Sequence, residues 1–258
     1  MTTNQSTSTT NYETPVTKTL KDHVSIRKYN GERIPDEMLR EILNASRRSP
    51  TSSNMQAYTY VIVRNPETKK KLAVLAGNQK HIETCDVFIA CCADITRLEK
   101  ACEMHGTTLA KNTENLLVAT VDAAIAGMSL ATAAESFGLG HVMIGGMRND
   151  PKGNAEALSL PDGVYVVYGM CLGFPDADDI PPQKPRLPED LIIHYEQYDT
   201  SDPTEKLQAH DEELAEHYRS LGRNLNSAAW TGVVSDKFST PRRPELRNTL
   251  EDIGFSLD

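Results

Sequence analysis

Residues 112–137 read NTENLLVATVDAAIAGMSLATAAESF, and this stretch decides the fold. Leu116, Leu117, Val121, Ile125, Met128 and Leu130 follow one another among many alanines with no proline, which predicts one long, largely buried helix. A helix that is apolar almost all round must be covered on all sides, so it belongs at the centre of the domain or at a subunit interface. Asp122 lies inside it and needs a donor, and a backbone or side-chain N–H at the helix edge is a simpler partner than catalytic chemistry.

Strands are expected on both sides of this helix. Tyr58–Val63 (YTYVIV) is β-branched and aromatic, and Val87–Ala93 is apolar at consecutive positions, as in a strand buried on both faces. His141–Ile144 and Val164–Leu172 follow the helix. Amphipathic helices are expected from Asp36 to Arg48, after Asn65-Pro66 through Leu72 and Leu75, and around Ala155–Leu158. Pro175–Pro188 holds five prolines and can sustain neither helix nor strand. Beyond it, Thr204 is expected to cap a helix carrying Leu207, Leu214 and Tyr218, and Thr240-Pro241 to start a last one carrying Leu246, Leu250 and Ile253. The pattern is α+β.

The chain has 258 residues, 39% of them hydrophobic, and a formal charge of -9. One substantial core is the natural reading, and an acidic chain suits neither nucleic acid nor an anionic membrane surface. The five cysteines have no zinc-site spacing, and Cys91 and Cys92 sit in an apolar run as small core residues. A reducing cytoplasm is the expected compartment. Residues 1–16 are rich in Thr, Ser and Asn and read as a disordered tail. No run approaches the ~18 consecutive apolar residues of a membrane span.

Four polar constellations could carry chemistry. In His23-Val-Ser-Ile-Arg27 an extended backbone would turn His23, Ser25 and Arg27 to one side, where three donors could meet an anion. Ser49–Gln56 is a donor-rich loop between a helix and a strand, and Gln79-Lys80-His81 is a further polar cluster. Gly138–Gly146 lacks G-x-G-x-x-G spacing because Met143 stands at the third glycine position, which argues against a dinucleotide loop. Gly145-Gly146, at a strand end, would instead let a flat ligand approach the main chain. In Lys184-Pro-Arg186 a proline stiffens a pair of cations suited to a phosphate.

Taken in order, these blocks resemble the nitroreductase family, in its NADPH-dependent nitro/flavin reductase branch. The resemblance runs from His23-Val-Ser-Ile-Arg27 through Ser52-Ser53, Gly77–His81, Ala133–Gly140, Ile144–Arg148 and Gly169–Gly173 to Lys184-Pro-Arg-Leu-Pro188 and about Tyr198. It implies a three-layer α/β/α sandwich with a mixed sheet, in a homodimer with FMN at each of two interface sites. The FMN-binding domain would span residues 17–200, and residues 201–258 would form a C-terminal helical extension. It also implies that His23 and Ser25 lie by the FMN phosphate and ribityl chain, that Arg27 reaches the pyrimidine side of the ring, and that Lys184 and Arg186 clamp the phosphate. Ser52, Ser53 and Asn54 would approach the flavin from the other subunit. Gln79 would bond the ring edge, and Ile144, Gly145 and Gly146 would face its reactive nitrogen. The implied chemistry is ping-pong transfer of hydride from NADPH or NADH through FMN to nitroaromatics, quinones or free flavin. The cofactor carries the redox step, so no catalytic side chain is required and Arg27 gives electrostatic support. Arg219 and Arg223 are the positions that would meet the NADPH 2′-phosphate. A flavin-binding protein without turnover is the alternative.

Overall fold

The computed structural model describes residues 12–223 and 228–258. Four strands, β1 (Tyr58–Val63), β2 (Val87–Asp94), β3 (Gly140–Ile144) and β4 (Val164–Gly173), form one sheet in the order β1-β2-β4-β3. Every neighbouring pair is antiparallel, so among the described residues the sheet is not mixed as expected. Burial on both faces fixes a strand's composition but not its direction. The β1–β2 connection carries two helices and brings the chain back to the end at which it left, pairing Val63 with Phe88.

Helices cover both faces, as expected of three layers. Alternate residues of β2 serve the two cores. Val87, Ile89, Cys91 and Ala93 pack with α2 (Asp36–Ser46) and α6 (Thr113–Ser136), while Phe88, Ala90 and Cys92 pack with α3 (Pro66–Leu75) and α4 (Lys80–Thr84). A bulge opposite Cys91/Cys92 lets Val167 and Tyr168 of β4 both face the α6 side. Tyr168 then crosses α6 at Gly127, where a Cβ would stand 1.8 Å from the tyrosine oxygen. Glycine weakens a helix interior by about 1 kcal/mol, and the close crossing explains its presence.

The long helix starts on a capping box between Asn112 and Asn115. Its buried side is Ala119, Asp122, Ala123, Ala126, Gly127, Leu130, Ala131 and Ala134. Leu117, Val121, Ile125 and Met128 form an exposed stripe on the other side. An 18-residue window of α6 has a mean hydropathy of 1.7, enough by length and composition to cross a membrane, but one face of this helix covers the sheet.

The remaining helices are α1 (Pro15–Lys21), α5 (Thr96–Met104), α7 (Pro151–Leu158), α8 (Thr204–Ser220), α9 (Thr231–Phe238) and α10 (Leu246–Asp252). Helix α1 starts inside the segment expected to be a disordered tail, with Thr14 and Thr17 forming its capping box; residues 1–11 lie outside the described residues. Thr204 is the first residue of α8 rather than its cap, and Asp202 Oδ1 accepts its amide at 3.0 Å. The last helix begins at Leu246, not Thr240, because Arg243 adopts a left-handed backbone before Pro244.

Two compact units result, residues 1–181 with 245–258, and residues 182–244. The boundary between them falls in the proline-rich stretch. The C-terminal residues return to the first unit because Leu250, Ile253 and Phe255 complete its core. In the second unit Leu214, Ala215 and Ala229 pack with Tyr218 and Trp230. Asp211 accepts the amides of Trp230 (2.6 Å) and Thr231 (2.9 Å), satisfying the start of α9.

Candidate functional site

In the first unit, Ile26 anchors the His23–Arg27 segment. It is buried, and its amide donates to His141 O at 2.9 Å. Ser25 is half-buried and Arg27 exposed beside it. Arg27 Nη1 reaches Ser25 O at 3.4 Å, and its charge bears on His81: burial, then the Arg27 guanidinium, push the His81 imidazole below its ordinary pKa. A neutral ring follows near pH 7. His81 Nε2 is buried without a hydrogen-bond partner, the kind of atom a ligand can satisfy.

Gln79 joins this cluster from the turn between α3 and α4. Its Nε2 donates to Ala76 O at 2.9 Å, so part of the amide is used to hold the turn. Gly146 packs on the same turn, where a Cβ would lie 2.4 Å from Ala76 O and 2.5 Å from Gln79 Nε2. Its smallness therefore serves this contact. At Gly145 a Cβ would meet only Arg148, at 3.5 Å or beyond, so this position leaves room for a ligand to approach the main chain. Ile144 is buried at the end of β3.

The third group is the loop at 51–57. Ser53, Asn54 and Gln56 all have positive φ (46°, 58° and 54°), a conformation that costs non-glycine residues and collects at functional sites. Asp122 secures it, accepting Ser52 N through Oδ1 and Ala57 N through Oδ2, each at 3.0 Å. Residues 52–56 are exposed. The buried carboxylate of α6 thus holds an accessible, strained, donor-rich loop.

His23 faces a different neighbourhood. Its Nδ1 lies 2.5 Å from Glu135 Oε1, and its ring stacks on His141 with centroids 4.9 Å apart. His141 Nε2 is 3.1 Å from the same oxygen. Burial works against the Glu135 charge, but its contacts with His141 and then His23 outweigh it and hold the carboxyl below its ordinary pKa. Sequence reading missed Glu135, His141 and the exact role of His81. The signal was present in the block Ala133–Gly140, where a carboxylate occupies the last turn of an apolar helix.

In the second unit, Lys184 and Arg186 line a cavity of about 800 Å³ with His210, Tyr218, Trp230 and Phe238. Both cations are exposed, and Lys184 Nζ lies 5.6 Å from the Tyr218 ring centroid. Arg219 is paired with Glu216 at 2.8 Å, while Arg223 is exposed beyond the end of α8.

The sequence matches the Nitroreductase family over residues 20–174 and the Nitroreductase family C-terminal domain over 184–258. The FMN reductase [NAD(P)H] of Bacillus subtilis (strain 168) is 36% identical over 247 residues, covering 94% of this chain and 98% of its own. The oxygen-insensitive NADPH nitroreductase of Salmonella typhimurium is 36% identical over 243 residues, covering 94% and 98%. The solved structure of B. megaterium NfrA2 superposes with a TM-score of 0.91 at 36% identity, over 95% of this chain and 100% of that one. With matches in both compact units and relatives aligned nearly end to end, this chain belongs to the nitroreductase family.

Proposed function

We propose that this chain is an FMN-dependent NAD(P)H oxidoreductase that reduces nitroaromatics, quinones or free flavin, with donor and acceptor using one pocket in turn. The observation that carries this reading is the cluster of Arg27, Gln79 and the orphaned His81 Nε2 beside the glycine pair Gly145-Gly146. It fits the polar edge of a flavin ring. When bound, FMN accepts hydride from the nicotinamide and supplies the electrons for the second substrate.

The chain's own residues place and shield that group. Arg27 is assigned to the pyrimidine side, where a fixed cation stabilises negative charge. Gln79, Ile144, Gly145 and Gly146 are assigned to the ring, His23 and Ser25 to the ribityl–phosphate chain, and Lys184 and Arg186 to the phosphate. Arg219 and Arg223 are candidates for the nicotinamide nucleotide. The Glu216 pair occupies Arg219, which favours Arg223 as the more available of the two.

The protein is proposed to act as a homodimer. The stripe Leu117, Val121, Ile125 and Met128 is a helix face of apolar residues that water disfavours. It adjoins the 50–52 segment across a groove of about 370 Å³. A second copy packed there would cover the stripe and meet the strained loop at Ser52, Ser53 and Asn54.

Purified protein tests the cofactor assignment. It is expected to be yellow and to release FMN, rather than FAD or riboflavin, on denaturation. Colourless protein that takes up no added FMN would refute the assignment.

A further inference from the structure

Glu135 lies in the last turn of α6, where the helix dipole disfavours a negative side chain. Its Oε2 is buried with no hydrogen-bond partner, a cost that an apolar residue at this position would not carry. Its side chain is nonetheless only 12% exposed, against 26% for His23. A carboxylate kept in such a place needs a reason, and the contacts of Oε1 supply one.

His23 Nδ1 meets Oε1 at 2.5 Å, a distance at which one of the two atoms carries a shared proton. Two histidines and a glutamate are also a metal-ligand set. In this structure the carboxylate oxygen meets the imidazole nitrogen directly. The His141 ring stacks on one face of the imidazole. The arrangement is that of a histidine whose ring orientation and tautomer are fixed by a carboxylate. A cavity of about 420 Å³, lined by Lys18, Asp22, His23, Ile26 and Glu135, opens beside it.

We propose that Glu135 is a positioning residue that holds His23 Nδ1 as a donor and so presents the opposite, Nε2 edge of the ring to the ribityl–phosphate chain of FMN. The inference rests on the oxidoreductase reading above. Without the carboxylate the ring loses the contact that fixes its Nδ1 proton, and FMN binding then has to select the tautomer.

The test combines ring-nitrogen NMR with FMN affinity. In the full-length protein the His23 signal, identified among the seven histidines by its loss in His23→Asn, is expected to show a protonated Nδ1. Glu135→Leu is expected to abolish that signature and to weaken FMN binding at least tenfold. Glu135→Gln, which keeps an acceptor oxygen, is expected to retain the signature and to stay within about threefold of wild type. In a His23→Asn background Glu135→Leu is expected to add nothing, because it acts only through His23. An equal loss in that background, or an unprotonated Nδ1 in the wild type, would overturn the proposal. Should Glu135→Leu fail to fold, the wild-type nitrogen signature and the Glu135→Gln affinity still decide it. Failure of the wild type to bind FMN would sink the oxidoreductase reading itself, a result separable from a defect confined to the variants.

Discussion

Asp122, inside the most apolar helix of the chain, accepts the amide of Ser52 at 3.0 Å across a separation of 70 residues. Its second oxygen takes the amide of Ala57 at the same distance. One carboxylate therefore closes both ends of the loop carrying Ser53, Asn54 and Gln56. Asp122→Asn keeps one acceptor but turns an N–H₂ group toward the other amide, leaving a buried donor unsatisfied. A loss of about 1–3 kcal/mol is expected, measured as a lower denaturant midpoint at unchanged slope. A wild-type midpoint would show that the two hydrogen bonds do not secure the loop.

This pair also marks how far the sequence could be read. An aspartate among alanines announces that it needs a donor, backbone or side-chain, but that the donors are the amides of Ser52 and Ala57 depends on tertiary packing. Strand positions were legible because β-branched and aromatic runs are local: β1 occupies Tyr58–Val63 as expected, and β2 extends one residue beyond Ala93. Strand direction was not, since antiparallel and parallel strands buried on both faces share one composition. Arg27 bears on His81, two residues beyond Gln79, and Gln79 packs on Gly146. His23 turns toward Glu135 and His141, a contact 112 residues apart in the chain that no local pattern encodes. Gly146 was read as room for a ligand, whereas its missing side chain accommodates Ala76 and Gln79.

The stripe on α6 bears on assembly. Val121 is 52% exposed at its centre, and Val121→Asp would place a charge in a contact between two copies, where desolvation opposes it. Analytical ultracentrifugation is expected to find the wild type as a dimer and this variant shifted toward monomer. A variant that remains fully dimeric would place the interface elsewhere.

Acid stability follows from Glu135. Its pKa is lowered in the folded state, so the stabilisation is fully present above the ordinary glutamate value of about 4.3 and is lost as pH falls through the lower folded value. Glu135→Gln should remove this contribution and flatten the stability profile below about pH 4.3. Acid unfolding curves of the two proteins test it, and coincident slopes there would contradict the expectation.

Lys184→Ala combined with Arg186→Ala should weaken FMN retention while leaving the fold intact, because both side chains are exposed. Each charge-assisted hydrogen bond contributes roughly 1.5–3 kcal/mol, so each lost bond is worth at least about tenfold in dissociation constant. Titration of the apoprotein with FMN measures the loss. Unchanged affinity would remove the pair from the phosphate site.

The central claim is turnover, and steady-state oxidation of NADPH and NADH by the FMN-loaded protein against nitroaromatics, quinones and free flavin tests it most directly. Acceptor-dependent oxidation with parallel double-reciprocal lines is the expected result, as required when donor and acceptor use one pocket in turn. FMN-loaded protein that oxidises neither nicotinamide with any acceptor would contradict the account and leave a flavin-binding protein without turnover.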